Sequence, residues 1–359
     1  MNIKKQISRF ALLFTFAAVL FSCSEDDKKE VTRLDSIAVK VATDANFSIL
    51  NAALKKTGLD ITLGNPGSYT VFAPTDAAFA ASLPTLTAAA INAWTPALNP
   101  VEIANLRVTL QNHVIGVGTR ANDLLSARYS RTFAFFRANA PLAPTTPTPL
   151  LTSGSQMSLF VNQVGADVLL NGGAANGGAK VTQADIDFSN GVVHIIDRVL
   201  TLPTIENHLN ANPDFASFMA IVNSPDQAVI KTSVTTATNL AARTLIVPNA
   251  AALIAANAAA TATVPVGFLV GVSPANVTRV LQYHQLSGNR VRTFFADNFT
   301  VFSGLAGQNF ISFTTGPLGF RLEDRAIAPR NKVSRFVLND IQGVNGVIHI
   351  VDKVLEPIL

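Results

Sequence analysis

Short apolar runs recur in the same order in the two halves of the chain. Tyr69-Thr-Val-Phe-Ala-Pro-Thr-Asp-Ala-Ala-Phe79 predicts a short buried strand, a turn at Pro74, and a helix capped by Thr75 with Asp76 in its first turn. Arg243-Thr-Leu-Ile-Val-Pro-Asn-Ala-Ala-Ala-Leu253 repeats the pattern, with Pro248 at the turn and Asn249 as the cap. Leu106, Leu110 and His113 are spaced i, i+4, i+7, as are Val277, Leu281 and His284, so each set marks one face of a helix. Those helices start at Asn99-Pro100 and Ser273-Pro274. An Asn or Ser there accepts a free backbone N–H, and a proline at the next position has none to lose.

The strongest repetition comes last. Asn190-Gly-Val-Val-His-Ile-Ile-Asp-Arg-Val-Leu200 returns as Asn345-Gly-Val-Ile-His-Ile-Val-Asp-Lys-Val-Leu355, with eight of eleven positions identical. Each box predicts a hairpin turn at Asn-Gly followed by a buried strand carrying His194 and Asp197, or His349 and Asp352. Asp185-Ile186 and Asp340-Ile341 stand five residues ahead of the boxes. Phe47 and Phe215 are placed in the opening helix of each unit. A spacing of 155 residues is too long for a solenoid and suits tandem domains. The first copy is the longer, and its Pro- and Thr-rich stretch 138–151 reads as the inserted loop.

Composition changes the picture mainly at the N-terminus. The chain has 359 residues, 48% hydrophobic and 14% charged, which excludes a disordered polymer and suits about two domains. Lys4, Lys5 and Arg9 precede an apolar run from Phe10 to Phe21, too short to span a bilayer and of the form of a secretory signal. It ends Leu20-Phe21-Ser22-Cys23, which resembles the lipobox of bacterial lipoproteins and implies lipidation of Cys23, the chain's one cysteine. Cleavage after residue 22 removes three basic residues and no acidic one, leaving 24 basic against 23 acidic residues. With no basic tract left, nucleic acid is not an expected partner. The expected organisation is a signal peptide at 1–22, an acidic tether at 23–35, and domains at 36–202 and 203–359. Arg243 to Arg279 is free of charge, but its prolines and asparagines argue for soluble Ala-rich helix and loop rather than a membrane span.

The proline box at 70–79, the boxes at 190–197 and 345–352, and Tyr283-His284 between them resemble the fasciclin (FAS1) family over essentially all of residues 36–357. The resemblance implies an α+β fold: two tandem domains, each a small β-sandwich or wedge with helices packed to one side. It also implies extracellular adhesion, with partner contact carried by Tyr283, His284, Asp185, Ile186, Asp340 and Ile341, and by His113 as the counterpart of His284. Two landmarks are missing, since the first copy has Asn112-His113 and the second has Ala250 where the first has Asp76.

The repeated histidines are the residues to weigh for chemistry. On a strand, His194 and Asp197 point to opposite faces, and so do His349 and Asp352, so each His is expected to satisfy a buried backbone group. His113 and His284 are expected to meet their helix's last carbonyls. No metal-ligand spacing, phosphate loop or nucleophile elbow is present, and neither a metal nor another cofactor is expected. The loop Gly172–Gly178 reads as a wide hairpin connection. Trp94 is the one candidate carbohydrate platform, and Phe133–Phe136 and Phe294-Phe295 read as core strand residues.

The expected function is a non-enzymatic lipoprotein held to the membrane by its lipid, outer-membrane and surface-facing. It would mediate adhesion or bind a cell-surface protein, a matrix protein or a glycan. The alternatives are an accessory glycan-binding protein of an envelope polysaccharide-uptake system, and an envelope hydrolase using a repeat histidine.

Overall fold

The computed structural model describes residues 34–136, 155–238, 241–258, 272–315, 319–324 and 333–358. The signal segment, Cys23, most of the tether and the 138–151 loop lie outside the described residues.

In the first copy, helices Ile37–Thr43, Ser48–Thr57, Leu59–Gly64, Asp76–Ser82, Ala88–Ala93 and Pro100–Gln111 pack beside a seven-stranded barrel. Its strands are β1 Tyr69–Pro74, β2 Val114–Ile115, β3 Tyr129–Phe135, β4 Gln156–Val164, β5 Asp167–Leu170, β6 Ala179–Phe188 and β7 Gly191–Ile196. Neighbours pair antiparallel, except that β1 and β7 run parallel and close the barrel. Helix Ala121–Ala127 lies between β2 and β3.

The second copy has helices Ile205–Ala211, Ala216–Val222, Ala228–Thr235, Ala250–Ala258 and Pro274–Tyr283. Its strands are β8 Arg243–Pro248, β9 Gln285–Ser287, β10 Phe299–Phe302, β11 Asn309–Phe313, β12 Arg321–Glu323, β13 Val333–Gly343 and β14 Gly346–Val351. Among the described residues these form one sheet in the order β10-β11-β12-β13-β14-β8-β9, and β8 runs parallel to β14 as β1 does to β7.

The central strands are apolar on both faces because both faces are covered. Val71 and Ala73 join the helix-side core with Phe47, Leu54, Phe79, Leu106 and Leu110, while Phe72 enters the barrel with Leu159, Val161, Ile196 and Leu200. The second copy repeats the division. Leu245 and Val247 meet the helices, and Ile246 meets Tyr283, Phe310 and Leu322 on the other face.

Helix starts and turns follow the sequence pattern with exceptions. Thr75, Asn249 and Ser273 each accept a hydrogen bond from the N–H three residues on. Asn99 does not cap its helix. Its side chain turns back and accepts from the Thr95 N–H instead. Phe47 and Phe215 are buried as expected but end short 3-10 turns that follow the opening helices. Phe294-Phe295 is not a strand either. It ends a 3-10 turn that buries Phe295 and leaves Phe294 half-buried. The Gly172–Gly178 loop does connect two hairpin strands, β5 and β6. Trp94 is a partly buried helix cap packed against the first copy's core.

From Asp35 on, the described residues form one compact unit, and the two copies meet through buried contacts. Ala134, Phe136 and Met157 of the first copy pack with Ala242 of the second. Tyr129 packs against the second copy's core, with its ring 5.9 Å from His208. Buried Ser158 on β4 donates to the Asp340 carbonyl at 3.3 Å and accepts from the Gln342 N–H at 2.9 Å.

Candidate functional site

The repeated histidines build one arrangement twice, and its parts come from each copy's last hairpin. In the first copy, β6 bulges between Gln183 and Ile186, and Asp185 sits in the bulge with φ 60°. Its N–H donates to His194 Nδ1 at 3.2 Å, and His194 Nε2–H donates to the Thr119 carbonyl at 3.1 Å. The Asp185 carboxylate accepts from the Ala121 N–H at 2.8 Å, at the start of helix Ala121–Ala127. In the second copy β13 bulges at Asp340, with φ 58°. His349 accepts from the Asp340 N–H and donates to the Arg290 carbonyl at 2.8 Å, while the Asp340 carboxylate accepts from the Arg292 N–H at 2.7 Å. The bulge turns a strand N–H toward the imidazole, so both ring nitrogens are occupied.

The second pair of histidines joins helix to box. His113 Nδ1–H donates to the Thr109 carbonyl at 2.7 Å, and its Nε2 accepts from the Leu200 N–H at 2.9 Å. His284 does the same with Val280 at 2.8 Å and Leu355 at 2.9 Å. Burial disfavours the charged ring and pulls both pKa values down to about 4. His208 is also pulled to about 4 by burial, and desolvation lowers His194 and His349 too. All five rings are therefore neutral at pH 7.

Most of the expected contact residues are turned inward. Tyr283 and His284 are 1% and 2% exposed, and Tyr283 Oη donates to the Asn309 carbonyl at 2.8 Å. His113 and Ile341 are buried, Ile186 packs partly buried on the core, and Asp185 and Asp340 are half-buried. Asn112, in the place of Tyr283, is buried and donates to the Thr201 carbonyl. Asp197 and Asp352 each accept from the N–H of a residue on the neighbouring strand, Lys180 or Arg335.

Two polar roles went unread in the sequence. The turn residues Asn190 and Asn345 accept from the N–H of Ile37 and of Ile205, tying the last hairpin to the first helix of each copy. The signal was their identity in both boxes, read only as a turn. Asp76 receives Ser48 Oγ–H at 2.6 Å and the Ile49 N–H at 2.8 Å, which caps helix Ser48–Thr57. Ala250 cannot do this, and helix Ala216–Val222 has no side-chain cap.

The fasciclin domain model matches residues 45–203 and again 214–357. The chain belongs to the fasciclin domain family. A relative, Protein sll1483 of Synechocystis sp., is 30% identical over 186 residues, which is 48% of this chain and 84% of that protein. A solved FAS1 domain pair from the insect cell adhesion molecule Fasciclin I is 15% identical at a TM-score of 0.47, over 89% of this chain and 96% of that one. Fasciclin domains are typically extracellular, non-catalytic adhesion domains.

Between the two fasciclin domains, solvent reaches Asp340. A cleft of about 320 Å³ is lined by Arg131 and Gln156 of the first domain and by Thr293, Asp340 and Gln342 of the second. A smaller groove of about 170 Å³ in the second domain is lined by Phe294, Phe299 and Phe302, with the Arg290 guanidinium 4.5 Å from the Phe294 ring centre. Among the described residues, no three His, Cys, Asp or Glu side chains converge as a metal site, and no helix is long and apolar enough to cross a membrane.

Proposed function

We propose that this chain is a non-catalytic adhesion lipoprotein of the cell envelope. Residues 1–22 are cleaved, Cys23 carries the lipid that holds the protein to the outer membrane, and residues 23–35 tether fasciclin domains at 36–202 and 203–359. The domains engage a surface protein, a matrix protein or a glycan. One observation carries the non-catalytic part. The histidines at positions 113, 194, 284 and 349 spend both ring nitrogens on buried backbone groups. A general base needs a nitrogen within reach of substrate.

The test has two parts. Cys23→Ala should release the protein from the membrane fraction, and deletion of the gene should reduce attachment to at least one surface among bare, protein-coated and glycan-coated supports. Unchanged attachment to all three would remove the adhesive role.

A further inference from the structure

We propose that the cleft between the two fasciclin domains binds a neutral saccharide, a reading that rests on the extracellular, glycan-facing role above and gives it a site. At about 320 Å³ the cleft lies at the lower end of the range of small-molecule sites, roughly 300–1,000 Å³. It exists only because the domains dock.

Its chemistry is set by the docking bond. Arg131 on β3 stands opposite Ser158 on β4, and Ser158 is the residue whose hydroxyl joins the Asp340 carbonyl and the Gln342 N–H. That contact brings the Arg131 guanidinium to 3.8 Å from Asp340 Oδ2. The separation is too long for a hydrogen bond. Among the described residues the guanidinium makes no other polar contact and Oδ2 accepts no hydrogen bond. The carboxylate is fixed nonetheless, because its other oxygen holds the Arg292 N–H and its backbone N–H holds His349. Gln156 adds an amide whose Nε2–H donates to the Thr132 carbonyl, leaving its oxygen as an acceptor.

A fixed acceptor beside an under-used donor selects the ligand. A cation meets Arg131, an anion meets Asp340, and an apolar group would desolvate both without pairing either. A hydroxyl satisfies both at once, since it donates to a carboxylate and accepts from a guanidinium. A sugar ring carries several such hydroxyls.

The test uses the full lipoprotein in detergent and a panel of neutral gluco-, manno-, galacto- and xylo-oligosaccharides, with titration calorimetry as the readout. At least one should bind. Arg131→Ala should weaken it by about tenfold or more, and Thr293→Trp, at an exposed position on the cleft wall, should abolish it with the melting temperature unchanged. Absence of binding to every sugar, or binding that both variants leave intact, overturns the site. If the variants lose the sugar while the deletion strain attaches normally, the cleft stands and the adhesive reading falls. If the deletion strain detaches and no sugar binds, the reverse holds.

Discussion

A buried imidazole bonded at both nitrogens is a cross-brace, and its removal strands the backbone N–H it accepts from. His284→Ala would leave the Leu355 N–H unpaired and the Val280 carbonyl with only the backbone N–H of residue 284, and His113→Ala would leave the Leu200 N–H unpaired and the Thr109 carbonyl with only the Asn112 N–H. Each should cost about 2–4 kcal/mol in urea unfolding with little change in slope. The same burial makes the protein acid-sensitive. His113, His208 and His284 hold pKa values near 4 when folded, against 6.5 when unfolded. Below pH 6.5 the unfolded chain takes up protons that the folded chain refuses, so stability present above that pH is lost as pH falls toward 4. Unfolding at pH 7.5 and at pH 5 should differ by on the order of 2 kcal/mol per ring. A flat profile across that window would contradict the neutral, buried assignment. The spacing of His113 and His284 foretold their carbonyl partners, four residues back on the same helix. The Leu200 and Leu355 donors lie 87 and 71 residues away in sequence, and no local pattern names them.

At the scale of elements, the two parallel strand pairs depend on a glycine each. A Cβ on Gly191 would lie 2.1 Å from the Tyr69 carbonyl oxygen, and one on Gly346 would lie 1.9 Å from that of Arg243. Both glycines also have positive φ, near 150°. Neither backbone can retreat without breaking the β1–β7 or β8–β14 ladder, so Gly191→Ala and Gly346→Ala should each cost several kcal/mol, on the scale of the larger single-site effects, or prevent folding. The glycines were visible as turn residues, but the close approach of another strand was not. Helix caps differ between copies in a way that can be tested by exchange. Asp76→Ala should cost about 1 kcal/mol by uncapping helix Ser48–Thr57, and Ala250→Asp should stabilise the second copy by several tenths.

Over the whole molecule, Ser158 is where docking is most easily broken. The residue is 3% exposed, and its hydroxyl serves two backbone groups of the other domain. Ser158→Arg cannot be accommodated there and should split one calorimetric unfolding transition into two, with each domain's secondary structure retained. Retention of a single transition would show that Tyr129 and the Met157 cluster suffice to hold the domains together. The tandem copies thus act as a docked pair, and their cleft is a property of the pair.

The sequence alone determined the α+β class, the two copies, the strand–turn–helix order and the family, because these rest on local periodicity and on motifs that repeat at a fixed offset. It also placed the histidines on a strand and at a helix end. The tertiary structure decided what those residues touch. It turned Tyr283, His284 and Ile341 inward, made Asp185 and Asp340 bulge residues, and opened a polar cleft between Arg131 and Asp340. The reason is that hydrogen-bond partners and clefts form between residues remote in the chain, and only folding and docking bring such residues within reach of one another.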